Sequence, residues 1–111
     1  MKFRERITTD FLYVLHEDIK EMPVKELSKV ARREGKLHVD YHFYIHRDGT
    51  VEQGRDETVI AGYGLENSER SIYVLVDSGD VMQITDSQKL SLFLLTESLT
   101  CTYPDMNIIG N

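Results

Sequence analysis

Three side chains near the ends of predicted strands have types that could carry chemistry: His16, Tyr41 and His42. His16 follows a short apolar run, and α/β folds place functional groups at the ends of their central strands. An imidazole can act as an acid, a base or a metal ligand near neutral pH. The alternative for His16 is a capped or solvated side chain without a functional role.

Residues 39–57 predict a β-hairpin, and Tyr41 and His42 are the first residues of its first strand. Residues 41–46 are aromatic or β-branched in the main, Asp48-Gly49 supplies the turn, and residues 50–53 return as a shorter strand. Alternation along a strand predicts that Tyr41, Phe43 and Ile45 share one face and that His42, Tyr44 and His46 share the other. The structural alternative for Tyr41 is a core aromatic beside Phe43.

Two continuous apolar runs predict buried strands at residues 11–15 and 71–76. Pro23 suits the first turn of a helix, which the apolar spacing extends over residues 23–34, with Gly35 as its C-cap. A loop follows the hairpin, and its Gly62-Tyr63-Gly64 segment predicts either a flap that faces a substrate or a packed surface loop.

Thr85 and Gln88 have the spacing of a capping box, which predicts a helix over residues 85–99. Its apolar residues predict a wide surface that packs firmly on the sheet. These residues are Leu90, Leu92, Phe93, Leu94, Leu95 and Leu99. Cys101 follows the predicted helix and is expected to be a small buried residue. A last short strand is predicted at residues 106–109.

The predicted order of elements is β-α-β-β-loop-β-α-β, an α/β fold with a mixed central sheet flanked by helices, and residues 1–111 form a single domain. The net charge of −6, without a strong basic cluster, argues against nucleic-acid binding. No apolar run has the length of a membrane span, and the charged N-terminus lacks the core of a signal peptide. With its single cysteine, the chain is expected to be cytoplasmic.

The segment YHFYIHRDGTVEQGRDE resembles the hairpin of the zinc-dependent N-acetylmuramoyl-L-alanine amidases of the phage-lysozyme type, which are relatives of the peptidoglycan recognition proteins. Those proteins carry the pattern YHF-x-I-x-RDGT-V-x-x-GR. The pieces FLYVLH, SI, ITDSQ and NIIG match further parts of the family in the same order. The resemblance implies the family's fold, a phage or prophage origin, and hydrolysis of the amide between N-acetylmuramic acid and L-alanine.

In this resemblance His16 matches the first zinc ligand, and Tyr41 matches the catalytic tyrosine that helps to stabilise the tetrahedral intermediate. Arg55 matches the arginine of the GR pair and, with Tyr63, is assigned to substrate binding; the alternative for Arg55 is a surface arginine that closes the hairpin. The implied cofactor is zinc, which polarises the carbonyl and activates water.

Two of the three zinc ligands have no counterpart in this sequence. Asn111 stands where the family has a histidine, and the third ligand would follow it. Because a catalytic zinc usually has three protein ligands, the chain alone is not expected to bind zinc tightly. Three alternatives follow: an amidase-like domain of weak or no activity, a non-catalytic module that binds a muropeptide or a protein partner, and an enzyme completed by ligands from another chain.

Overall fold

The computed structural model describes residues 4–33, 41–62, 65–80 and 83–110. The strands are β1 (Phe11–Glu17), β2 (Phe43–Ile45), β3 (Val51–Gln53), β4 (Ser71–Asp77) and β5 (Asn107–Ile109). The helices are α1 (Val24–Arg33) and α2 (Asp86–Thr102), and a 3₁₀ turn spans Ser68–Arg70. The predicted order of elements is confirmed. None of the helices in these ranges is long and apolar enough to cross a membrane.

The five strands form one mixed sheet in the order β3-β2-β4-β1-β5. β1 pairs in parallel with β4 and β5, β2 pairs in parallel with β4, and β3 pairs antiparallel with β2. All seven residues of β4 are buried, as expected for a strand with neighbours on both sides and helices on both faces. The predicted α/β fold with a mixed sheet is therefore confirmed.

The two faces of the sheet are covered by different helices. On the α2 face, Leu12, Val14, Ile45 and Val76 belong to a buried cluster that also contains Leu99 of α2. On the α1 face, a second cluster is formed by Ile19, Tyr44 and Leu75, and the side chains packed against it are Leu15, Val24, Leu27 and Tyr41. Alternation along β1 and β4 thus divides their side chains between two separate apolar layers.

The β2–β3 hairpin turns at the predicted Asp48-Gly49 pair. Gly49 has φ +90°, which favours glycine, and the Thr50 N–H donates to Asp48 Oδ1 over 2.9 Å. β2 is shorter than the predicted strand over residues 41–46, because the chain bends at His42 and regular pairing starts at Phe43.

α1 begins and ends within one residue of the predicted bounds; Gly35, its expected C-cap, lies outside the described residues. α2 begins with the predicted capping box, in which Thr85 Oγ1 accepts from the Gln88 N–H and Gln88 Oε1 accepts from the Thr85 N–H. It continues three residues beyond the predicted end at Leu99.

The predicted packing of α2 is wrong for half of its apolar residues. Leu90, Phe93 and Leu94 are 61%, 58% and 57% exposed, whereas Leu99 is only 3% exposed. A helix turns 100° per residue, so only one stripe of side chains can face a flat sheet. Cys101 lies inside α2 and is exposed, not buried as predicted, because it stands about 200° around the helix from Leu99.

Candidate functional site

Tyr41 lies at the edge of the α1 face and is half-buried. Its ring centroid is 5.8 Å from that of Tyr44, in an edge-on arrangement, and 6.4 Å from that of Tyr73. Phe43 packs instead on the α2 face. The prediction that Tyr41 shares a face with Phe43 and Ile45 is therefore wrong, because the bend at His42 interrupts the alternation of the strand.

His42 is a fully buried cross-link between three segments of the backbone. The Tyr73 N–H donates to Nδ1 over 3.0 Å, and Nε2 donates to the Val59 carbonyl over 2.7 Å. Both ring nitrogens are therefore used, and the proton of the neutral ring is on Nε2. The two partners give His42 a structural role beside Tyr41.

The imidazole of His42 is held in its neutral form. Its pKa is lowered from 6.5 to about 4, chiefly by burial; the bond to Val59 acts in the opposite direction, and the positive charge of nearby Arg6 contributes to the lowering. Arg6 Nη1 lies 3.4 Å from Nε2 and donates to the Glu57 carbonyl. The Arg6 guanidinium also stands over the ring of Tyr103, at 5.8 Å from its centroid. Arg6 thus connects the N-terminal segment to the same buried centre.

His16 is half-buried near the end of β1 and is paired in register with Val76 of β4. The pairing of β1 with β4 is continuous from Phe11 to Glu17, so alternation holds throughout the strand. Since Leu12 and Val14 lie on the α2 face, His16 lies there too. The structure therefore does not bring His16 and Tyr41 together.

Arg55 is 3% exposed, and its Nη1 donates to the Ile60 carbonyl over 3.1 Å. Its backbone N–H donates to the Tyr41 carbonyl over 3.0 Å. The alternative of a surface arginine is therefore wrong: Arg55 is buried between the end of the hairpin and the loop that follows. Tyr63, the other residue assigned to substrate binding, lies outside the described residues.

The residues of the described ranges do not fit the zinc site that the resemblance implies. These ranges contain no group of three or more His, Cys, Asp or Glu side chains that could hold a metal ion. The one matched ligand, His16, lies on the opposite face of the sheet from Tyr41. No catalytic step through zinc can therefore be derived from these residues.

His46 and Glu52 form a pair that the sequence analysis does not predict. His46 Nε2 lies 2.5 Å from Glu52 Oε1, and the same carboxylate oxygen accepts from the Val24 N–H at the start of α1 over 3.1 Å. His46 therefore belongs to the α1 face with Tyr44, whose cross-strand partner is Glu52. The pair could have been predicted from the register of the hairpin, because antiparallel pairing of β2 and β3 places His46 diagonally opposite Glu52.

A row of aromatic side chains lies on the α1 face of the sheet. Tyr13 and Tyr73 stack with their centroids 5.4 Å apart, and Tyr41 continues this aromatic row. Asn67 Nδ2 donates to the Tyr13 hydroxyl over 2.8 Å, and the Tyr73 hydroxyl donates to the Glu66 carbonyl over 2.7 Å. Tyr73 is only 1% exposed, so the half-buried Tyr13 and Tyr41 are the members of this row that offer apolar area and a hydroxyl group at the surface.

The sequence is similar to the endolysin of Escherichia phage T7, with 35% identity over 82 residues that cover 71% of this chain and 54% of the endolysin. The chain thus spans about half the length of this curated relative. No protein-family model matches the sequence.

The fold is similar to that of N-acetylmuramoyl-L-alanine amidase LysC from Clostridium intestinale, with a TM-score of 0.84 and 21% identity over 97% of this chain and 74% of that chain. It is also similar to the ectodomain complex of peptidoglycan recognition proteins LCa and LCx bound to tracheal cytotoxin, with a TM-score of 0.76 and 14% identity over 96% of this chain and 70% of that chain. These likenesses agree with the endolysin match. The chain therefore has the fold of the N-acetylmuramoyl-L-alanine amidases and peptidoglycan recognition proteins, and its sequence is similar to those of phage endolysins.

Proposed function

We propose that this domain binds a muropeptide fragment of peptidoglycan on the α1 face, and that it has weak or no amidase activity by itself. The observation that supports binding is the half-buried Tyr41, which extends the aromatic row of Tyr13 and Tyr73 on that face. The solved peptidoglycan recognition proteins with the same fold support a peptidoglycan ligand.

The proposed ligand combines a sugar with a short peptide, and the half-buried rings of Tyr13 and Tyr41 suit both parts. The faces of aromatic rings accept the apolar side of a sugar ring, and phenol hydroxyls bond to amide groups. Tyr41 is the proposed contact with the amide that joins the two parts. Tyr63 is proposed to extend the binding surface from the loop that follows Gly62.

Arg55 is proposed to support this surface from beneath. Its buried side chain donates to the Ile60 carbonyl, and its backbone N–H donates to the Tyr41 carbonyl, so the residue joins the binding tyrosine to the loop. Its contribution to ligand binding is therefore one of position, through Tyr41 and the segment before Tyr63.

Weak activity is proposed because His16 does not lie on the face that carries Tyr41. A phage or prophage origin is proposed because the similar curated proteins are phage endolysins. Location in the cytoplasm stays a prediction of the sequence.

The proposal is tested by titrating N-acetylmuramoyl-L-alanyl-D-isoglutamine into isotope-labelled protein and following the backbone and tyrosine signals by NMR. We expect saturable shifts at Tyr13 and Tyr41. Tyr41→Ala should weaken binding, and Tyr41→Phe should separate the role of the hydroxyl from that of the ring. Phe93→Ser on the exposed side of α2 is the matched control and should bind as the unmodified chain does.

The same fragment reports hydrolysis, because cleavage of the muramoyl amide releases L-alanyl-D-isoglutamine, which chromatography separates. Binding without release of the dipeptide is the expected result. Rapid release that depends on added zinc would contradict the proposed weak activity and favour an enzyme completed by further ligands. The absence of any saturable shift would overturn muropeptide binding and direct the search to a protein partner.

A further inference from the structure

We infer that Leu15, and not His16, is the residue near the end of β1 that projects to the face of Tyr41, so that this chain binds its ligand on the α1 face without a metal ion. The evidence is the division of β1 between two apolar layers. Leu12 and Val14 lie in the cluster under α2, whereas Leu15 packs in the cluster that Tyr41 contacts.

The chemistry implied by the resemblance requires the opposite arrangement. A zinc ion that polarises a carbonyl and a tyrosine hydroxyl that stabilises the same oxygen must both lie within a few ångströms of that oxygen. The first metal ligand must therefore project from the same face as the tyrosine. His16 fails this requirement by its position in the strand.

Distance along the sheet adds to this separation. His16 is in register with Val76, which is paired on its other side with Ile45. Tyr41 stands four residues before Ile45, outside β2 and before the bend at His42. The two side chains are thus separated both by the sheet and along it.

A shift of β1 by one residue would bring His16 to the α1 face, but the pairing opposes it. Such a slip reverses every side chain of a strand. It would move Leu12 and Val14, which are 0% and 6% exposed, out of the α2 layer. It would also separate Tyr13 from its stacked partner Tyr73. The seven-residue register with β4 therefore fixes Leu15 on the face of Tyr41.

At this place the ligand would meet an aliphatic surface. Leu15 packs with Leu75 and with Leu27 of α1 in the cluster that reaches Tyr41. We therefore expect ligand binding that does not depend on a metal, and this expectation rests on the proposed muropeptide binding. The orientation of His16 does not depend on whether a muropeptide binds.

The first test is a titration with zinc chloride, followed by the NMR signals of the tyrosine rings and the histidine imidazoles. In the unmodified chain we expect no shift at Tyr41, and His16→Ala should leave this result unchanged. Leu15→His moves an imidazole to the α1 face, and its ring protons should show nuclear Overhauser contacts to the Tyr44 and Leu75 side chains that the ring of His16 does not show; Leu15→Ala is its packing control. Stoichiometric zinc that shifts Tyr41 and is lost in His16→Ala would overturn the inference.

If Leu15→His does not fold, the comparison of the unmodified chain with His16→Ala still decides the question. The second test measures the affinity for N-acetylmuramoyl-L-alanyl-D-isoglutamine with EDTA and with added zinc. Equal affinity is expected, and loss of binding in EDTA would overturn metal-independent binding. If the fragment does not bind in either condition, the proposed function fails, while the zinc titration still tests the position of His16.

Discussion

Gln88 donates from its side-chain Nε2 to the carbonyl oxygen of Asp77 over 2.6 Å, and this bond joins the first turn of α2 to the end of the central strand. The same nitrogen donates to the Ile45 carbonyl over 3.2 Å. Gln88 is fully buried, although it also completes the capping box at the surface end of the helix. One amide therefore fixes α2 against β2 and β4 together.

Replacing the Gln88 amide should lower the free energy of unfolding. Gln88→Leu leaves two buried carbonyl oxygens without a donor, and we expect a loss of about 2 to 3 kcal/mol in the free energy of unfolding. Gln88→Glu keeps the size of the side chain but places an acceptor against the two carbonyls, so it should also destabilise at neutral pH. Urea unfolding measures both changes. Lys89→Leu, at the exposed neighbour, is the control, and an equal loss there would contradict the role given to Gln88.

The buried imidazole of His42 should make stability depend on acidity. Its pKa is lowered from 6.5 to about 4 in the folded chain, chiefly by burial. Between these pH values the unfolded chain binds the proton and the folded chain does not. The free energy of unfolding therefore has its full value above about pH 6.5 and decreases as the pH falls to about 4. The total loss should be about 3 kcal/mol.

Urea unfolding at a series of pH values measures this loss, and the NMR titration of the His42 ring should have its midpoint near 4. His42→Gln supplies an amide that does not titrate. It should be less stable at pH 7 but should lose less on acidification. Parallel stability curves for the two chains would show that other groups cause the acid sensitivity.

The exposed and buried leucines of α2 should differ strongly in their effect on stability. Leu94→Ser should change the free energy of unfolding by less than about 0.5 kcal/mol, because Leu94 is 57% exposed. Leu99→Ala should cost about 2 to 4 kcal/mol, because Leu99 belongs to the buried α2-face cluster. Urea unfolding compares them. A cost of several kcal/mol for Leu94→Ser would mean that this side chain is covered in solution.

Cys101 gives a direct test of the exposed side of α2. The chain has one cysteine, so a thiol reagent reports this position alone. We expect complete reaction with a disulfide reagent in the native protein, measured by absorbance without denaturant. Cys101→Ser is the blank. A thiol that reacts only after unfolding would place this part of α2 against another surface.

The sequence predicts those elements whose signals are local. Asp48-Gly49 identifies the hairpin, and the Thr85 and Gln88 pair identifies the start of α2. The role of His42 could not be predicted in the same way, because its partners lie 17 and 31 residues away in the chain. The face of Tyr41 depends on one bend, which period-two alternation does not contain. The burial of the α2 leucines depends on how the helix is rotated against the sheet, which its composition does not determine.

The strand order places β1 between β4 and β5, whose residues begin at positions 71 and 107. β1 therefore has no paired strand until translation has passed Asp77, the last residue of β4. Contacts between residues so far apart in sequence close large loops, which makes folding slow compared with that of a protein rich in local contacts. Until β4 emerges, the apolar residues of β1 are open to other molecules, so the nascent chain is most prone to aggregation before its sheet can assemble.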